Sequence, residues 1–148
     1  NDAKMNLTVL FDYWHIPTTS ESRLLYESVK KYNIVFIQSR TSNDKRLNID
    51  KLIQKYLHDN KTILISNDEN LYFTEKNNGE IMKKKYELCE PFICNKLCYY
   101  LDTLKNSSEI YIIDSCFGGL VIPLYRKKML KADIVRIIIR RIADKIEL

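Results

Sequence analysis

The chain has few of the residues that mark unusual architectures, with only three glycines, three prolines, two histidines and one tryptophan among 148 residues. So little glycine and proline excludes a linker-rich or low-complexity organisation. Hydrophobic residues make up 45% of the chain and charged residues 29%, which is typical of a globular domain that buries a core. We therefore expect residues 1–148 to form a single domain.

Long apolar runs are also missing. Charged residues interrupt every run before it reaches about 18 residues, the length that a helix needs to cross a bilayer. The chain does not open with a secretory signal pattern. We expect no membrane span and a soluble, cytoplasmic protein.

Patterns for metal binding and for cysteine nucleophiles are lacking as well. Four cysteines stand at positions 89, 94, 98 and 116, at spacings that do not match a zinc knuckle. Neither His15 nor His58 is near Cys116 in sequence, so no neighbouring base is available to a cysteine nucleophile. We expect reduced thiols and no cofactor.

The charge is moderately basic, with 24 Lys and Arg against 19 Asp and Glu, a net charge of +5. This balance suits a partner that carries phosphate, and it equally suits a solvated basic surface. Charge alone therefore leaves both interpretations open.

Strand and helix patterns alternate along the sequence. Runs rich in β-branched and aromatic residues predict strands at Leu7–Phe11, "NIVFIQS", "KTILIS", "IYIID" and "ADIVRIIIRR". Helical spacing predicts helices in "TTSESRLLYESVKKY", "NIDKLIQKYLHDN" and "NKLCYYLDTLKNSSE", and one in "CFGGLVIPLYRKK" that Pro123 would kink or end. The fold class is thus predicted to be α/β, a Rossmann-like three-layer domain with a mostly parallel sheet.

Ligands of such sheets bind beyond the carboxyl ends of the strands. The corner after Ile113 supplies Asp114, Ser115 and Cys116, followed by a helix start whose backbone N–H groups favour an anion. This corner is predicted to hold a phosphate, or Asp114 or Ser115 simply caps the helix. The sequence leaves both possibilities open.

The exit after Ile37 is rich in hydrogen-bond donors: Gln38, Arg40, Thr41 and Ser42 follow within five residues. An arginine among hydroxyl groups at a strand exit suits a phosphate or a diphosphate. A solvated loop is the alternative.

Acidic residues at the exits suggest a different chemistry. "LFDYWHIP" and "ILISNDENL" resemble the strand-end acidic corners of PIN-like and NYN ribonucleases. In that resemblance Asp12, Asp68 and Asp114 would hold Mg²⁺ or Mn²⁺ for phosphodiester hydrolysis. A metal-dependent nuclease is therefore an alternative function.

The later corners resemble another family more closely. "YNIVFIQSRTSN", "TILISNDENLY", "KKYELCEPF" and "YLDTLKNSSEIYIIDSCFGGLVIPL" resemble the C-terminal, donor-binding half of glycosyltransferases with two Rossmann-like domains, such as heptosyltransferase-like enzymes and glycosyltransferase-like proteins of large DNA viruses. The likeness covers most of the chain from Tyr32 to Arg140 and lies mainly in the spacing of the strand corners.

The resemblance implies a pocket for a nucleotide or nucleotide-sugar diphosphate, with no metal required. The residues expected to line it are Gln38, Arg40, Thr41, Ser42, Asn67, Asn70, Tyr72, Asp114, Ser115 and Cys116. Such a half supplies no catalytic base of its own, so a second domain or subunit would complete the cleft. A catalytically silent structural or interaction module is the third possibility.

Overall fold

The computed structural model describes residues 15–42, 45–56, 58–68, 85, 87–93 and 95–148. Its helices and strands follow one another as α1 (Ser20–Val29), β1 (Asn33–Gln38), α2 (Asp50–Tyr56), β2 (Thr62–Ser66), α3 (Leu101–Asn106), β3 (Glu109–Ile113), α4 (Gly118–Arg126) and β4 (Ile134–Ile138). Short 3₁₀ helices span Glu90–Phe92, Leu97–Tyr100 and Arg140–Lys145. The predicted strand Leu7–Phe11 lies outside the described residues.

The four strands form one all-parallel sheet in the order β2-β1-β3-β4. Helices alternate with these strands, so the predicted α/β, Rossmann-like fold is confirmed. From β1 the chain moves first to β2 on one side and then to β3 on the other. The carboxyl ends of β1 and β3 therefore meet at a topological switch point, the place where open α/β sheets bind ligands.

Local signals explain where the first two helices begin. The Thr19 hydroxyl accepts a hydrogen bond from the backbone N–H of Ser22 at 3.1 Å and caps α1. The side chain of Asn48 accepts one from the backbone N–H of Asp50 at 3.1 Å, in a turn just before α2.

Pro123 does not end its helix, since α4 continues to Arg126. Proline has no backbone N–H, so the carbonyl of Gly119, four residues before Pro123, has no donor within the helix. Gly119 is exposed, so water can donate a hydrogen bond to this carbonyl. Pro123 itself is buried in the helix. The helix therefore tolerates a proline that the sequence pattern treats as a stop signal.

The core lies on both faces of the sheet. On one face an aromatic cluster joins Phe36 of β1 to Tyr100 and Phe117, with ring centroids 5.8 and 5.4 Å away. On the other face Tyr56 of α2 donates a hydrogen bond to Glu109 of β3. Glu109 pairs with Val35, the residue before Phe36, so the side chains of Phe36 and Glu109 point to opposite faces of the sheet. Helices therefore cover both faces.

In the described part of the chain, no helix is long and apolar enough to cross a membrane.

Candidate functional site

The switch point is held together by the side chain of Gln38. Its Oε1 atom accepts hydrogen bonds from the backbone N–H of Ile113 at 3.1 Å and from the hydroxyl of Ser115 at 3.0 Å. Its Nε2 atom donates to the carbonyl of Arg40 at 2.6 Å. Gln38 is buried, so it ties the exit of β1 to the exit of β3 below the surface.

Ser115 uses its hydroxyl within the protein. It donates to Gln38 and accepts a hydrogen bond from the backbone N–H of Phe117 at 3.3 Å, just before α4 begins. Phe117 is the N-cap of α4 and no side chain caps the helix, so the predicted cap by Asp114 or Ser115 is not formed, and Ser115 instead closes the turn before the helix. The same hydrogen bonds fix the direction in which the turn into α4 leaves the sheet.

Asp114 is exposed beside the first turn of α4. The Oδ1 atom of Asp114 lies 3.8 Å from the position that a Cβ atom on Gly118 would take. A carboxylate in this position is favoured by the positive end of the helix dipole, and it would repel a second anion. Cys116 is also exposed, and Cys89, Cys98 and Cys116 form no disulfide bonds.

The fourth strand brings Arg140 to the same edge. Its Nη2 atom donates to the carbonyl of Asp114 at 3.1 Å, and its side chain is exposed. Arg140 was not predicted as a site residue, because the last predicted strand, "ADIVRIIIRR", includes it. β4 ends at Ile138, which leaves Arg140 at the strand exit, where ligands of such sheets bind.

The exit of β1 contains two further candidate residues. Thr41 is buried, and its hydroxyl both accepts from the backbone N–H of Lys45 at 3.1 Å and donates to the carbonyl of Lys45 at 3.3 Å. It therefore closes a loop, while Ser42 is exposed beside it. Arg40 is exposed, and its backbone lies at the switch point through its bond with Gln38.

The exit of β2 lies on the other side of β1. Ser39 donates a long hydrogen bond of 3.5 Å to Asp68, whose backbone N–H donates to Ser66 at 3.0 Å. Asn67 is half-buried next to it. Asn70 and Tyr72 lie outside the described residues.

The predicted acidic group of the nuclease alternative is only partly within the described residues. Asp68 follows β2 and Asp114 follows β3, so β1 stands between them, and two strand spacings amount to about 10 Å. Asp12 lies outside the described residues. Within the described ranges, no group of three or more His, Cys, Asp or Glu side chains is arranged to hold a metal ion.

A second polar cluster lies at the opposite end of β3. Glu109 accepts hydrogen bonds from Tyr56 and, at 2.7 Å, from Tyr111, and its Oε1 atom lies 3.5 Å from Nζ of Lys55. Partial burial opposes ionisation, but the two hydroxyl donors and Lys55 outweigh it and lower the pKa of Glu109. Burial, followed by the Glu109 hydrogen bond, raises the pKa of Tyr111. These side chains bond to one another, so the cluster joins α2 to β3 and has a structural role.

Comparison with models of protein families, with curated proteins and with solved structures found no match.

Proposed function

We propose that this protein binds a nucleotide through its diphosphate at the switch point between β1 and β3, as the donor-binding half of a glycosyltransferase does. The observation that carries the proposal is the Gln38 side chain, which joins Arg40 and Ser115 at this point through hydrogen bonds. Open α/β sheets bind ligands at such a place, and resemblance to the donor-binding half supplies the ligand class.

The charges at this edge support a position for the phosphates. Arg140 donates a hydrogen bond to the backbone carbonyl of Asp114, which follows β3. Arg40 follows β1, the strand next to β3. Guanidinium groups bind phosphate oxygens in pairs of hydrogen bonds and need no metal for it. β3 lies between the strands that Arg40 and Arg140 follow, so we place the diphosphate across the exit of β3, where the two guanidinium groups offset the repulsion from the Asp114 carboxylate.

Thermal denaturation with added ligand tests this proposal. A ligand that binds only the native state at 100 times its Kd stabilises it by about 2.7 kcal/mol. We expect one nucleoside diphosphate or nucleotide-sugar to raise the Tm without Mg²⁺ or Mn²⁺. Arg140→Ala should weaken binding about 10-fold, whereas Arg141→Ala, its exposed neighbour in sequence, is the matched control and should not.

Asp114 separates this proposal from the nuclease alternative. With a diphosphate on the arginines, Asp114→Asn removes a repulsive charge and should tighten binding in metal-free buffer. Stabilisation by Mn²⁺ alone, lost in Asp68→Asn or Asp114→Asn, would instead support metal-dependent hydrolysis. If no nucleotide changes the Tm of the intact chain, the proposal is wrong.

A further inference from the structure

The net charge of the protein is concentrated at one end of the sequence. Residues 126–148 contain eight Lys and Arg and three Asp and Glu, while the other 125 residues contain 16 of each kind. The whole excess of +5 therefore belongs to the segment that contains β4 and its flanks. Exposed basic residues precede the strand at Arg126, Lys127 and Lys128 and follow it at Arg140 and Arg141.

Among the strands that the structure describes, β4 is at one edge of the sheet, and β3 is its only strand partner. The backbone N–H of Asp114 donates to the carbonyl of Ile138 at 2.8 Å, so Ile138 points its carbonyl at β3. Because backbone groups of alternate residues point to opposite sides of a strand, those of Val135 and Ile137 point away from the sheet.

An open apolar groove runs beside this edge. It has a volume of about 770 Å³, and its walls come from α4 and β4, including Ile122, Tyr125, Val135 and Ile137. Tyr125 is 64% exposed and Ile137 38% exposed. Arg126 and Asp133 also line the groove, so charged groups border its apolar wall.

We propose that β4 pairs with an extended, acidic segment of another protein, which adds a strand to the sheet. The outward backbone groups of β4 would supply the hydrogen bonds of the added strand. Its alternate apolar side chains would enter the groove beside Tyr125 and Ile137, and its acidic side chains would meet the basic flanks. A second copy of this chain fits less well, because two basic edges would face each other.

Binding of a synthetic peptide to the intact chain tests this proposal. The probe is an acetylated and amidated octapeptide of alternating glutamate and valine, measured by calorimetry at low and at physiological salt. We expect it to bind at least about 10-fold more tightly than the peptide with lysine in place of glutamate, and more weakly as salt rises. A peptide with proline in place of every valine has a fixed φ and no N–H at alternate positions, so it cannot form a regular added strand and should not bind.

Charge reversal on β4 sharpens the test. Arg136 is exposed and lies between Val135 and Ile137 in sequence, so its side chain is on the face opposite the groove, where the glutamates of the added strand would lie. Arg136→Glu should reduce the preference for the glutamate peptide by about 10-fold, whereas Lys31→Glu reverses an exposed charge just after α1 and should leave the preference unchanged. Retained binding of the lysine peptide shows that the Arg136→Glu protein is folded.

Four results would overturn the proposal. The first is equal binding of the glutamate and lysine peptides, or any binding of the proline peptide. The second is binding of single-stranded DNA or of anionic lipid vesicles that competes with the glutamate peptide and is lost in Arg136→Glu. The third is a dimer in sedimentation that Ile137→Glu dissociates. The fourth is slow amide hydrogen exchange at Val135 and Ile137 in the free monomer, which would mean that the edge is already covered.

Discussion

The two edge strands of the sheet are similar in sequence and differ in their surroundings. β2 reads TILIS and all five of its residues are buried, whereas β4 reads IVRII and only Ile138 is buried. Cys89 donates a hydrogen bond from its Sγ atom to the carbonyl of Leu64, so other parts of the chain reach β2. The comparison teaches that a β-branched run specifies a strand, while the residues around it decide whether its edge is covered.

The largest expected effect comes from the same substitution on both edges. Ile65→Ala in β2 removes a fully buried side chain and should lower the free energy of unfolding by about 2–5 kcal/mol. Ile137→Ala in β4 removes one that is 38% exposed and should cost about 0.5 kcal/mol. Urea denaturation measures both values, and equal costs would contradict the difference between the edges.

The Gln38 side chain, which links β1 to β3, provides the next test. Gln38→Leu leaves the backbone N–H of Ile113 without its acceptor in the buried interior and should cost about 1–3 kcal/mol. Ser115→Ala removes one donor to the same Oε1 atom and keeps the bond from Ile113, so it should cost less. Chemical denaturation compares the two variants. An equal loss in both would mean that Gln38 does not hold the strands together.

The Glu109 cluster links β3 to α2 and gives the smallest expected effect, with a dependence on pH. The pKa of Glu109 is lowered in the folded protein, so its contribution is present above its ordinary pKa of 4.5 and is lost as pH falls through the folded value. Glu109→Gln should cost about 1 kcal/mol at neutral pH and progressively less as pH falls. Thermal denaturation between pH 7 and pH 3 measures this, and a cost that does not change with pH would contradict the assignment.

The sequence predicted the described strands because each is a short run rich in β-branched and other apolar residues. It also predicted that polar residues follow strands β1, β2 and β3, and those exits do lie at one edge of the sheet. The Gln38 bonds could not be predicted, because they join residues 75 and 77 positions apart and depend on strand order. The binding role of these exits stays a prediction.

Other outcomes depend on local features of the molecule. Pro123 was expected to kink or end its helix, and it does not end it, because the pattern shows the missing N–H and not the exposed carbonyl of Gly119; the kink stays a prediction. Thr41 was expected to line the nucleotide pocket; its hydroxyl bonds with the backbone of Lys45, and its binding role stays a prediction. The concentration of basic charge after residue 125 is visible in the sequence, but its meaning depends on β4 being an edge strand.

Chemical-shift mapping of the ¹⁵N-labelled chain with uridine diphosphate and adenosine diphosphate, in metal-free buffer, tests the central claim most directly. We expect at least one of them to shift the amide signals of Gln38, Arg40, Ser115 and Arg140, which lie at the switch point, and to leave those of Val135 and Ile137 on the edge of β4 unchanged. Unchanged signals at the switch point, or shifts confined to β4, would contradict nucleotide binding at the junction of β1 and β3.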